Sequence, residues 1–220
     1  MEASIPMKSL GKRSRTAPAD TRRHQLIDAT ITTLGRHGIS GTTLAKVARE
    51  AGLSPGLVSF HFAGKDALLA ATLQHLADEH RDLWIGEASR PDTPPAAKLQ
   101  AIVDAQFHPS VCNRRKLAVW FAFFGEVGQR RTYRRSSQSV DEERQRVTTA
   151  LCASIAAEGE PGRIAPEAAS MTLEGLFDGL WLNILMYPRR FTPEGARDQV
   201  MAYLRLCFPD QFPAGRAGRD

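Results

Sequence analysis

The chain is 220 residues long, 42% hydrophobic and 24% charged, with a formal net charge of +5. A chain of this length buries ~70% of its unfolded surface without a disulfide or metal to staple it, and its balance of apolar and charged residues excludes wholesale disorder. The longest apolar stretch, Leu117–Gly125, is far short of the ~20 residues of a membrane-spanning helix. No apolar core follows the N-terminal Lys and Arg residues, so no signal peptide is expected. Cys112, Cys152 and Cys207 lack C-x-x-C spacing, which points to reduced thiols in a cytoplasmic protein.

The positive charge sits in the first third. Residues 1–66 hold ten Lys and Arg against five acids, whereas residues 67–220 hold nineteen of each sign. That is the pattern of a module for a polyanion joined to a neutral module. Residues 1–19 mix Pro, Ser, Ala and Lys/Arg without apolar periodicity and read as a flexible basic arm. From about Asp20, Leu26/Ile27, Thr30/Ile31 and Leu34 recur at helical spacing until Gly38. Thr42 reads as the cap of a second helix, Thr43 to Ala51, which Gly52 ends. Ser54 caps a third, with Pro55 at its first position, where a missing N–H costs nothing. A long amphipathic helix spans Lys65 to about Ala88 and is broken at Pro91-Asp92-Thr93-Pro94-Pro95. Further helices are expected near 96–107, 113–125, 132–158, 167–186 and 193–208, followed by a frayed tail over 209–220. Nothing alternates with the period of two that a sheet requires. The expected class is therefore all-α, with a helix-turn-helix domain over 20–66 and a larger helical domain over 67–208.

The run Val47-Ala48-Arg49-Glu50-Ala51-Gly52-Leu53-Ser54-Pro55-Gly56-Leu57-Val58-Ser59 carries the function. Two short helices cross at near right angles only if the crossing residue is small and the turn tolerates positive φ; Ala48 and Gly52 meet those conditions. Val47, Ala51, Leu53 and Val58 then share a core. The same residues contain a G-x-S-x-G match, Gly52-Leu53-Ser54-Pro55-Gly56, which would be a nucleophile elbow in an α/β-hydrolase. An elbow needs a preceding strand and an N–H on the residue after the serine. Here a helix precedes and Pro55 has no N–H, so Ser54 is a cap.

Ile27, Ala29, Gly38-Ile39, Thr42-Thr43, Val47-Ala48, Ala51-Gly52-Leu53-Ser54, Gly56, Val58, His61-Phe62, Lys65 and Leu68 together resemble the tetracycline-repressor (TetR) family of one-component regulators. Many members carry Tyr where this chain has Ser59. Ser59-Phe60-His61-Phe62 is more similar to the subgroup of choline-responsive repressors of glycine-betaine synthesis. Trp120-Phe121-Ala122-Phe123, Tyr133-Arg134-Arg135 and Phe177-Asp178-Gly179-Leu180-Trp181-Leu182 extend that likeness more thinly into the C-terminal region. The resemblance implies an operator-binding homodimer whose C-terminal helices hold a ligand pocket and the dimer interface.

Candidate DNA contacts follow from charge and capping. Thr43, beside Thr42, and Lys65 stand at helix starts where phosphates are held, and His61 can donate to one as well. The third helix, with Ser54, Pro55, Gly56, Leu57, Ser59 and Phe60, is the element placed to enter the major groove. Ser59 can bond base edges or phosphates, and Pro55 or Leu57 can meet a thymine methyl. Val58 faces inward. No Arg, Asn or Gln lies on this helix, so Lys46 or the arm (Arg13, Arg15) supplies further contacts.

For a small organic cation such as choline, the candidates are Trp84, Phe107, Trp120, Phe121, Phe124, Tyr133, Phe177 and Trp181, with Asp178, Glu126 or Glu174 as counter-ion. The six histidines show no ligand pair at i, i+4, so neither metal nor cofactor is expected. Leu173, Leu176/Phe177, Leu180/Trp181 and Ile184, with Gly175 and Gly179, form an expected dimer stripe, and Ala196, Val200, Tyr203/Leu204 and Cys207 a second. The leading reading is a ligand-responsive, homodimeric repressor on a palindromic operator and not an enzyme. The alternatives are an architectural DNA binder, which would give uniform protection in footprinting, and an enzyme with an accessory helix-turn-helix, which would turn over its ligand.

Overall fold

A computed structural model describes residues 19–126, 130–159 and 164–213, without the side chains of residues 130 and 132–137. The arm over residues 1–18 and the last seven residues lie outside the described residues. Among the described residues every regular element is a helix. These are α1 (Ala19–Gly41), α2 (Leu44–Ala51), α3 (Pro55–His61), α4 (Lys65–Ala88), α5 (Pro95–Gln106), α6 (Arg114–Gly125), α7 (Arg130–Glu158), α8 (Pro166–Met186) and α9 (Pro193–Cys207). The all-α expectation holds.

Local chemistry sets the boundaries. Thr43, Ser54, Asn113 and Thr192 cap α2, α3, α6 and α9, their side-chain oxygens accepting backbone N–H groups of Lys46, Leu57, Lys116 and Gly195. Each satisfies one of the donors that a helix start leaves over. Proline occupies the first turn of α3, α5, α8 and α9. Gly52 closes α2 in the left-handed region (φ 65°, ψ 35°), with its N–H on Arg49 O and that of Leu53 on Ala48 O at 2.9 Å. Gly38 (φ 65°) interrupts α1, which resumes for one short turn to Gly41.

The expected cap Thr42 is corrected by one residue. Thr42 is buried and its hydroxyl donates to Gly38 O at 2.7 Å, so it serves the end of α1. Thr43, with extended dihedrals (φ −130°, ψ 154°), caps α2.

Leu26, Ile31, Leu34, Val47, Ala48, Val58 and Leu68 are buried where α1, α2, α3 and the start of α4 meet. The rest of α4 packs on α5 and α7, α7 on α8, and α8 on α6 and α9, while α6 also lies along α1. Ion pairs tie these helices: Arg81 to Glu143 (2.5 Å), the buried Lys116 to Glu79, and Arg197 to Asp104 (2.6 Å).

The expected dimer stripes are corrected too. Leu173, Phe177, Leu180, Trp181 and Ile184 are buried within the chain, as are Ala196, Val200, Leu204 and Cys207. Helix α8 is apolar on both sides, and its inward side forms the monomer's own core.

Candidate nucleic-acid interface and effector cavity

Helix α3 presents Pro55, Gly56, Ser59 and Phe60 to solvent, with the cap Ser54 and the neighbouring Thr43 also exposed. Phe60 is 79% exposed, an extreme value for a large apolar side chain with no partner element. Val58 is fully buried and anchors the helix from beneath. Leu57 and His61 are half-buried, and the His61 ring meets Phe60 edge-on at 5.2 Å. Ser59 Oγ donates to Pro55 O at 3.3 Å, which leaves its acceptor side facing out.

Two lysines have a job that sequence reasoning missed. Lys65 Nζ donates to Ile39 O (2.6 Å) and Lys46 Nζ to Gly41 O (2.7 Å), so both ammoniums satisfy carbonyls at the C-terminal end of α1. Helix α3 is thereby tied through its flanking elements to α1. Gln25 Nε2, donating to Ala51 O (2.7 Å), and Arg23, stacked over Phe62 at 4.7 Å, brace the same unit.

A second feature lies in the bundle: a cavity of about 280 Å³ among α4, α5, α6, α7 and α8. That is near the small end of ligand pockets, ~300–1,000 Å³. Trp120 and Phe124 of α6 and Phe177 and Trp181 of α8 supply its aromatic wall, with the Trp120 and Trp181 rings 6.4 Å apart. Asp178 and Glu174 of α8 and Asp141 and Arg144 of α7 supply its charge. Arg144 bonds Glu174 (Nη2 to Oε2, 2.7 Å) and Asp141 (3.3 Å). Burial works against the Arg144 charge, but Glu174 and Asp141 outweigh it and hold the guanidinium protonated. Partial withdrawal from water raises the Asp178 pKa, offset by Arg144 and reinforced by Glu174 and Asp141. His80 is driven down to about 3, first by burial and then by Arg144, and so is neutral. Three carboxylates face one guanidinium, so with all of them ionised the lining carries two excess negative charges.

Of the expected ligand residues, Trp120, Phe124, Phe177, Asp178 and Trp181 are brought together, and Glu174 joins them. Trp84 is not: it is fully buried in the core one turn beyond His80 on α4, outside the cavity lining. Phe107 packs against Phe177 from behind (6.1 Å), and neither Phe121 nor Glu126 lines the cavity. The Tyr133 side chain lies outside the described residues. His80, Gln106, Asp141 and Arg144 were missed: Asp141 and Arg144 stand in the polar run 141–146 and His80 among Asp78, Glu79, Arg81 and Asp82, where nothing in the pattern marks the one side chain that turns inward.

An exposed helix-turn-helix coupled to a cavity-bearing helical bundle defines the class of one-component transcriptional regulators. The comparisons with known proteins agree. Residues 26–72 match the family of bacterial regulatory proteins of the tetR type, and residues 95–209 match the BetI-type transcriptional repressor C-terminal family. The HTH-type transcriptional regulator BetI of Burkholderia thailandensis is 41% identical over 190 residues, covering 85% of this chain and 93% of that protein. The BetI of Paraburkholderia phymatum is 42% identical over the same length and coverage. A transcriptional regulator from Pseudomonas aeruginosa PAO1 superposes with a TM-score of 0.73 at 30% identity, covering 86% of this chain and 90% of that one. A regulator from Saccharomonospora viridis, solved in complex with choline, shares the fold (TM-score 0.73, 17% identity, 84% and 96% covered). The chain belongs to the TetR family, in the branch with a BetI-type C-terminal domain, and is a DNA-binding transcriptional regulator. Its relatives' role supports regulation and not enzymatic turnover.

Proposed function

We propose that the protein is a cytoplasmic, homodimeric repressor of a palindromic operator whose affinity is set by a small organic cation, with choline the first to try. The observation that carries the reading is the cavity, in which four aromatic rings stand beside three carboxylates that outnumber the one guanidinium. A quaternary ammonium cannot accept or donate a hydrogen bond, so ring faces and a nearby carboxylate are what hold it, at ~0.5–2 kcal/mol per desolvated ring contact. The choline complex of the S. viridis regulator supports the same choice.

Dimerisation is supported by the outward side of the last helices, which keeps Gly175 and Gly179 of the expected stripe but not its buried apolar residues. Gly175, Gly179, Leu182 and Met186 line one exposed strip of α8, and Ala202 and Leu206 one of α9. Leu206 is 78% and Met186 58% exposed. Among the described residues nothing beyond the helix's own backbone lies within 4 Å of a Cβ built at Gly175 or Gly179, so a second copy's helix has room to approach. On DNA, Pro55, Leu57, Ser59 and Phe60 read bases while Thr43, Ser54, Gly56, Lys46, His61 and Lys65 position the backbone. Each ammonium keeps hydrogens for a phosphate beyond the one given to α1. Thr42, being buried, leaves this set.

Calorimetry of the purified protein with choline, beside native mass spectrometry, tests the reading. Saturable binding to a dimer is expected, with Asp178→Asn raising the dissociation constant about 10-fold, as loss of one charged contact implies. No binding at millimolar choline would remove the cation assignment.

A further inference from the structure

The cavity holds two buried polar atoms with no partner, and the ammonium reading gives them nothing to do. Among the described residues neither His80 Nε2 nor Gln106 Nε2 has a hydrogen-bond partner, on side chains that are only 3% and 2% exposed, and both residues line the cavity. Trp181 brings them to one wall. Its indole N–H donates to the Gln106 backbone carbonyl at 2.8 Å, and its ring lies 5.8 Å from the His80 ring. Arg144 is turned to Glu174 and Asp141 and does not serve this wall.

Buried polar groups are rarely left unpaired, because they forfeit their hydrogen bonds to water without replacement. An unpaired pair lining a cavity therefore describes what enters it. The Gln106 amide nitrogen only donates, and a neutral imidazole nitrogen accepts or donates according to its tautomer. A hydroxyl, which does both, is the complementary group. The adjoining aromatic wall takes the ammonium end, so one molecule with both ends would satisfy the whole lining.

We propose that His80 Nε2 and Gln106 Nε2 bind the hydroxyl of the effector, which makes these two residues the determinants that select a hydroxylated cation over an otherwise identical one. The inference rests on the cation reading above, and it adds the chemistry at the opposite end of the ligand. His80 being neutral at physiological pH is part of the device, since an imidazolium here would repel the ammonium.

Calorimetry with the full chain compares choline with n-propyltrimethylammonium, which has the same shape with a methyl in place of the hydroxyl. Choline is expected to bind wild type about 100-fold tighter, because a site built to bond a hydroxyl is left with unpaired groups by the analogue. Gln106→Met and His80→Phe should each weaken choline about 10-fold and leave n-propyltrimethylammonium unchanged or tighter, with operator affinity of the empty protein preserved. Equal binding of the two cations to wild type would overturn the inference and leave the cation reading standing; a resident water would then be the partner of both atoms. Variants that weakened both cations alike would overturn it as well. Failure of either cation to bind wild type would remove the cation reading and this inference with it.

Discussion

His80 stays neutral where an exposed histidine would gain a proton below about pH 6.5. Its folded pKa, lowered to about 3, means the unfolded chain binds the extra proton throughout the interval between those two values. Stability from this residue is complete above pH 6.5 and is lost as pH falls, by about 2 kcal/mol at pH 5. Arg144 reinforces the effect, and the carboxylates of Asp141, Glu174 and Asp178 share the cavity with it. Thermal melts from pH 7 to 5 should fall more steeply for wild type than for His80→Phe, and parallel curves would contradict this. Individual residues were the least legible feature of the sequence. Thr42 and Thr43 are equally good caps by type, and only the turn after Gly38 decides that the first is captured by α1 and the second faces out. Trp84 and Trp181 occupy similar helical positions by pattern. Which one borders empty space depends on how five helices splay, and no local period records that.

At the scale of elements the sequence was far more informative, because caps and breakers act locally. Helices α4 to α9 begin and end within about two residues of the proline, glycine and cap signals. The turn between α2 and α3 is the most demanding junction. Gly52→Ala forces a side chain into the left-handed region and should cost about 1 kcal/mol, and Ser54→Ala should cost a similar amount through the lost cap on Leu57 N–H. Both variants should melt lower and bind operator more weakly, as thermal denaturation and gel shift would measure. The face of α8 was misread because both sides are apolar, and periodicity does not say which side meets the chain's own core. Gly179→Leu follows from the corrected face. It should leave the monomer folded, since among the described residues nothing beyond the helix's own backbone lies within 4 Å of a Cβ at the position, while blocking the second copy. A folded monomer by light scattering with operator affinity lost is expected, and an intact dimer would sink the assignment of that strip.

For the whole molecule, one continuous core runs from the helix-turn-helix to α9, so a ligand in the bundle and an operator on the helix-turn-helix would act on one mechanical body. If choline changes operator affinity by some factor, operator must change choline affinity by the same factor, with couplings of ~1–3 kcal/mol typical. Titrating choline into the free protein and into its operator complex measures one side of that identity, and gel shifts with and without choline the other. A factor of one on both sides would show that choline binding is not coupled to the operator and would overturn the switch.

Helix α6 supplies the lever arm. Its middle and C-terminal turns carry Trp120 and Phe124 against the cavity, while near its start Arg115 donates to Thr32 of α1 at 3.2 Å and the Arg115 carbonyl abuts Gly35. A 12-residue helix is a stiff rod ~18 Å long, so a tilt of about 5° displaces one end relative to the other by ~1.5 Å. The fulcrum is visible in the bond from Lys116 to Glu79, one residue on from the α1 contact, which pins this end of the rod to α4. A ligand pressing on the long arm would reach α1 with reduced travel and increased force, the proportions suited to shifting a tightly packed domain by fractions of an ångström.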